Sequence, residues 1–265
     1  MIAMLPGGLE LAYDEAGSGI PLLFIHGWPH DRTLWAAQWS GLQTQARCLA
    51  PDLRGFGDSS LAPPHSIEQY ADDLAAFLAM IGVERALVCG LSMGGYVALS
   101  MLRRHRALFR GLILTSTRAT ADTPEARDER TRLIAFVEEN SVEALAARQL
   151  RAMVGETTFN SRPDVLEALR QLMAVAPREG VVGGLRAMAE RRDSTDLLAG
   201  IDVPTLVVSG TEDTVTPPAE MRALAEAIPG SRLEVIESGG HVCAYERPAA
   251  FNHVVGEYLA SLTYD

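Results

Sequence analysis

Residues 86–105 read ALVCGLSMGGYVALSMLRRH: an apolar run, the motif Gly90-Leu91-Ser92-Met93-Gly94-Gly95, and a segment with helical spacing. A lone G-x-S-x-G arises easily in a loop, but here a strand leads into it and a helix leads out. That context restricts the chain severely. Strand, tight turn and helix in direct succession are the unit from which α/β architectures are built. The turn is too tight for side chains at positions 90 and 94, and it lifts the Ser92 hydroxyl clear of its surroundings. Helix 93–105 also presents its positive end to that hydroxyl. The spacing thus marks Ser92 as a nucleophile.

The rest of the chain repeats the same rhythm. Apolar runs at 22–25 (LLFI), 47–52 (RCLAPD), 111–115 (GLILT), 205–210 (TLVVSG) and 232–237 (RLEVIE) predict buried strands, and segments such as 67–81 carry apolar residues at helical spacing. LELAYDEAG at 9–17 predicts an antiparallel edge strand. The expected fold is a mostly parallel central sheet with helices on both faces. Between about 118 and 197 no strand pattern appears, and four amphipathic helices are expected at about 124–139, 141–153, 163–175 and 178–191. Gly183 and Gly184 weaken the last of these. An all-helical insertion in such a sheet reads as a cap over the carboxyl ends of the strands, where ligands bind. Residues 1–117 and 198–265 would then form the core, and 118–197 the cap, of a single domain of 265 residues.

A serine hydroxyl is a weak nucleophile and needs a base held in place by a carboxylate. His241 lies in SGGHVCAYERP, just after the last predicted strand, where flexible glycines let the ring reach back over the sheet. Asp213, in TLVVSGTEDTVTPP, stands between nucleophile and histidine in the chain and is the expected acid. Its neighbour Glu212 is the rival, expected to point to solvent. Two backbone donors are needed for the oxyanion. Met93, next to the nucleophile, supplies one N–H; the loop His26-Gly27-Trp28-Pro29 supplies the other, from Trp28.

Other chemistries fit less well. His26 and His30 are four apart, but Gly27 and Pro29 put them on a turn rather than one helix face, so no metal is expected. The loop from Asp52 to Ser59 lacks a phosphate cradle's spacing and reads as a structural turn with an Arg–Asp network. All 23 basic residues are arginine against 34 acidic ones, and a net charge of −11 argues against nucleic acid as a partner. The absence of lysine removes Schiff-base chemistry. Three scattered cysteines, Cys48, Cys89 and Cys243, form no disulfide scaffold. With no signal-peptide pattern and no apolar run long enough for a membrane, the expected location is cytoplasmic, as a monomer or small homo-oligomer without a cofactor.

In order, HGWP, PDLRGFGDS, GLSMGG, GTEDTVTPP and GGHVCAYERP resemble the motifs of the α/β-hydrolase superfamily over almost the whole chain. From LEALRQLMAVAPREGVVGGLRAMAERRDSTDLL onward the sequence is similar to small bacterial carboxylesterases and 3-oxoadipate enol-lactonases. The resemblance implies a Ser92–Asp213–His241 triad, an oxyanion hole of the Trp28 and Met93 amides, and a four-helix cap inserted after the sixth strand. His30 and Cys243 depart from the residues usual there, which bears on substrate preference. His30, Tyr96, Met153, Met173 and Met188 are expected to line the pocket. The expected activity is hydrolysis of small or short-to-medium-chain carboxylic esters through an acyl-enzyme. A lactonase or a cofactor-free perhydrolase would use the same triad, and a slow-turnover ligand sensor would keep it. Dehalogenase and epoxide-hydrolase relatives need an aspartate where Ser92 stands.

Overall fold

Each predicted apolar run forms a strand in the computed structural model, which describes residues 1–262. The strands are β1 (Ile2–Met4), β2 (Glu10–Ala16), β3 (Pro21–Ile25), β4 (Arg47–Pro51), β5 (Ala86–Leu91), β6 (Phe109–Thr115), β7 (Thr205–Gly210) and β8 (Arg232–Ile236). They make one sheet in the order β1-β2-β4-β3-β5-β6-β7-β8. From β4 to β8 all neighbours are parallel, while β1–β2 and β2–β4 are antiparallel. The expected edge strand is therefore second from the edge. It is covered by β1, whose three residues are too few to show a period in the sequence.

Alternation along the strands builds two apolar layers. Leu22, Phe24, Leu87, Cys89, Ile113, Leu206 and Val208 face one side, and Leu23, Ile25, Val88, Leu112, Leu114 and Val207 the other. Burying each such aliphatic side chain stabilises the fold by about 1.5–3 kcal/mol relative to leaving it exposed.

Twelve α-helices surround the sheet among the described residues. The first three are α1 (Ala36–Leu42), α2 (Ile67–Met80) and α3 (Met93–Arg104). Between β6 and β7 come α4 (Pro124–Glu139), α5 (Val142–Met153), α6 (Glu156–Ser161), α7 (Pro163–Ala174), α8 (Arg178–Glu190) and α9 (Thr195–Leu198). The last are α10 (Pro218–Glu226), α11 (Cys243–Glu246) and α12 (Pro248–Ser261). Four of the six inserted helices follow the expected spans; α6 and α9, at six and four residues, are too short for a periodic signal. Thr123 and Ser141 start α4 and α5 by accepting hydrogen bonds from the amides of Ala126 and Ala144 at 3.2 and 3.1 Å.

Gly183 and Gly184 do not interrupt α8. A Cβ at Gly180 would strike the Gly55 carbonyl, one at Gly183 the His65 ring and one at Gly184 the Trp28 ring. Small residues on this face let the helix lie directly on the loops after β3 and β4, an advantage that outweighs glycine's lower helix propensity of about 1 kcal/mol. Trp28 Nε1 donates to the Val181 carbonyl at 2.9 Å and fixes that contact. At the end of α5, the Met153 carbonyl accepts the Val242 amide at 3.0 Å. The inserted helices thus rest on loops that follow the carboxyl ends of β3 and β8. No described helix is long and apolar enough to cross a membrane.

Candidate active site

Ser92 sits at the junction of β5 and α3 with φ 54° and ψ −114°, a conformation costing about 1–3 kcal/mol in a non-glycine residue. The surroundings impose it. Ser92 N donates to the Thr115 carbonyl at 3.0 Å, and the Ser92 carbonyl accepts from Thr117 Oγ1 at 2.8 Å. A Cβ on Gly90 would run into the Gly94 carbonyl, and one on Gly94 into the Ile25 carbonyl. Both glycines are therefore needed to bring α3 onto the strands. Ser92 is partly exposed between the buried Leu91 and Met93.

His241 lies in the loop after β8, 2% exposed, with Nε2 at 2.9 Å from Ser92 Oγ. Its Nδ1 faces Asp213, at 3.0 Å from Oδ2 and 3.2 Å from Oδ1. A carboxylate only accepts, so the proton belongs on Nδ1, which leaves the Nε2 lone pair for the Ser92 hydroxyl. Asp213, 3% exposed, follows β7. Its Oδ1 accepts the Val215 and Thr216 amides at 2.8 and 2.9 Å, and its Oδ2 the Thr216 hydroxyl at 2.6 Å. Burial by itself would raise its pKa; the opposing charge of His241 and the bonds from His241 and Thr216 bring it down to about 2. Ser92, Asp213 and His241, picked from three distant motifs, thus form one hydrogen-bonded chain.

Glu212 corrects an expectation. Instead of pointing to solvent it is half-buried, and its carboxylate accepts the Thr157 amide at 2.7 Å and the Thr157 hydroxyl. It ties the first turn of α6 to the loop after β7 and turns away from His241.

The HGWP turn is closed by the His30 amide, which donates to the Gly27 carbonyl at 3.0 Å. His26 supports the turn from beneath: Nε2 accepts the Leu53 amide at 3.0 Å, so Nδ1 carries the proton and donates to the Gly27 carbonyl at 3.0 Å. With both nitrogens engaged by backbone, its burial favours the neutral ring and lowers its pKa. The Trp28 amide has no acceptor among the described residues. Met93 opens α3, a position where a helix leaves its N–H without an intrahelical acceptor.

Two supporting residues escaped the sequence reading. Thr216 orients Asp213, and its signal was a hydroxyl three residues after a candidate acid. Glu246, 2% exposed, accepts the Gly240 amide at 2.7 Å and the Gly155 amide at 2.9 Å, joining the histidine loop to the start of α6. Burial raises its pKa. Its signal was a carboxylate in the apolar stretch after the histidine.

The Asp52–Ser59 loop does contain an Arg–Asp network. Arg54 forks onto Asp73 of α2 at 2.6 and 2.7 Å, while Asp52 pairs with Arg32 and accepts the Asp58 amide at 2.9 Å. The three cysteines are free and buried, and burial raises the pKa of each. Among the described residues no three His, Cys, Asp or Glu side chains group as metal ligands.

The expected pocket residues His30, Tyr96, Met153, Met173 and Met188 are all buried. Tyr96 follows Ser92 by one turn of α3 and lies under the Arg191 guanidinium, 4.1 Å from the ring centroid. Met153 and Met173 belong to the apolar cluster that contains Val242, and Met188 to the one that contains Trp28. His30 is buried beside the HGWP turn.

A family model described as alpha/beta hydrolase fold matches residues 20–248. The 3-oxoadipate enol-lactonase 2 of Acinetobacter baylyi is 30% identical over 235 residues, covering 88% of this chain and 86% of that one. Among solved structures, a thermophilic esterase from Thermogutta terrifontis is 41% identical with a TM-score of 0.94, covering 98% of this chain and 97% of that one. The enol-lactonase from Burkholderia xenovorans LB400 is 30% identical with a TM-score of 0.89, covering 98% and 100%. A strand-turn-helix serine, an eight-stranded sheet and a family match spanning most of the sequence agree: the chain belongs to the alpha/beta hydrolase fold family.

Proposed function

We propose that this hydrolase is a serine carboxylesterase acting on small or short-to-medium-chain carboxylic esters. The observation that carries the reading is the chain of contacts from Ser92 Oγ through His241 to Asp213, at 2.9 and 3.0 Å. Ser92 Oγ attacks the ester carbonyl as His241 Nε2 takes its proton. The oxyanion is held by the Trp28 and Met93 amides; removing one such donor typically costs about 100- to 1000-fold in rate. His241 then protonates the leaving alcohol, and water attacks the acyl-enzyme with the same residue as base. Asp213 keeps the imidazole in the productive tautomer and stabilises its charged form.

The helices between β6 and β7 act in this reading as a cap, residues 118–197, which shapes the acyl pocket. Three free buried cysteines suit a reducing compartment, and the cytoplasm is the proposed location. A solved relative named as an esterase, 41% identical, supports ester chemistry. Relatives named as enol-lactonases, 30% identical, favour a second reading in which the same residues open a lactone. Turnover of p-nitrophenyl acetate, butyrate and octanoate beside enol-lactones separates the two. The ester reading predicts saturable hydrolysis of the shorter esters; lactone opening without ester turnover would overturn it.

A further inference from the structure

His26 and His30 belong to one turn, and both are buried, yet only one is explained by the fold. Both nitrogens of His26 bond the backbone. His30 is 1% exposed, and neither Nδ1 nor Nε2 has a hydrogen-bond partner among the described residues. A ring buried this way loses its hydration without replacing it, and an aliphatic side chain would fill the space without that penalty. Such an exception calls for a partner from outside the fold.

The place of the ring says where that partner would be. The His30 backbone amide closes the turn that holds Trp28, so the residue stands two positions along the chain from the amide assigned to the substrate's carbonyl oxygen, and its ring is near enough to His241 for the two to interact electrostatically. Burial first, then the nearby His26 and His241, push the ring's pKa down to about 3; the Gly27 carbonyl, outside hydrogen-bonding geometry for the ring, acts in the opposite direction. The ring is neutral at ordinary pH. A neutral imidazole offers one donor and one acceptor. A hydroxyl can meet either by rotating, an alkyl group meets neither, and a carboxylate would have to shed its hydration for a single uncharged donor.

We propose that His30 is a specificity-determining residue that hydrogen-bonds an oxygen substituent, a hydroxyl, on the acyl group of the substrate. The proposal rests on the ester-hydrolysis reading for the direction in which substrate lies. A site built to bond a substrate hydroxyl discriminates strongly against the analogue without it, because its own polar group is then left unpaired.

The test compares p-nitrophenyl 3-hydroxybutyrate with p-nitrophenyl butyrate. Wild type should favour the hydroxy ester by about tenfold or more in kcat/KM. His30→Leu should bring the ratio near one by losing the hydroxy ester, while still hydrolysing the butyrate. His30→Asn, which keeps a donor and an acceptor, should recover part of the preference. The leucine variant should also match or exceed the wild-type Tm, because a buried unpaired group is gone. An equal ratio in wild type and His30→Leu overturns the proposal, as does a preference that follows a hydroxyl placed on the alcohol side instead. If the leucine variant does not fold, His30→Met is read in the same way. Calorimetric titration of methyl 3-hydroxybutyrate and methyl butyrate into Ser92→Ala, with and without His30→Leu, separates this inference from the reading beneath it. A hydroxyl preference abolished by the leucine upholds the role of His30 even if no ester is turned over. Equal affinities overturn it even if esters are.

Discussion

The Glu212 carboxylate accepts the Thr157 amide at 2.7 Å, so the residue beside the candidate acid clamps an inserted helix and does not face the imidazole. Two adjacent carboxylates thereby acquire separate tasks. Asp213→Asn should lower kcat by about 10⁴-fold, the order found when the acid of a serine-hydrolase triad is neutralised. Glu212→Gln should keep kcat within a few-fold and destabilise the protein by about 1 kcal/mol through the weakened start of α6. Steady-state kinetics and urea unfolding on both variants decide the assignment; the reverse pattern would exchange the two roles.

The depressed pKa of Asp213 links the site to stability. Its native value of about 2 lies below the ordinary 3.8, so the folded state favours the ionised form. The resulting stabilisation, on the order of 2 kcal/mol, is fully present above the ordinary value and disappears as pH falls from about 4 to about 2. Urea unfolding of wild type and Asp213→Asn across pH 2–6 should show an advantage for wild type that shrinks through this window. An advantage independent of pH would contradict it.

Glu246 holds Gly240 and Gly155 together through two buried amides. Removing the carboxylate in Glu246→Ala leaves both donors unpaired, at about 2–4 kcal/mol of stability. Because Gly240 directly precedes His241, kcat should fall with little change in KM. A crystal structure of the variant with His241 Nε2 still within hydrogen-bond reach of Ser92, together with unchanged kcat, would show that the clasp does not position the base.

The layered fold was legible in the sequence because its central strands are buried on both faces and read as continuous apolar runs, and because GLSMGG fixes a strand-turn-helix. Ser92, Asp213 and His241 were legible for a related reason: each follows a strong strand, where the chain must leave the sheet at its carboxyl end. What escaped depends on distant partners. The three residues of β1 have no period to read. The α8 glycines look like helix breakers until Gly55, His65 and Trp28 are seen against them. Glu212 looks like a solvent-facing side chain until Thr157, 55 residues earlier, is brought beside it. Tyr96 and the methionines carry helical spacing that serves the core and a pocket equally well, so spacing alone could not sort them.

The central claim is that Ser92 forms a covalent intermediate after His241 takes its proton. Mass spectrometry of the protein treated with a fluorophosphonate, followed by peptide mapping, tests it directly. The account predicts one phosphonyl adduct on Ser92, absent from Ser92→Ala and strongly slowed in His241→Ala, with hydrolysis of a short-chain p-nitrophenyl ester falling on the order of 10⁶-fold in Ser92→Ala. Labelling at another residue, or ester turnover that survives in Ser92→Ala, would contradict it.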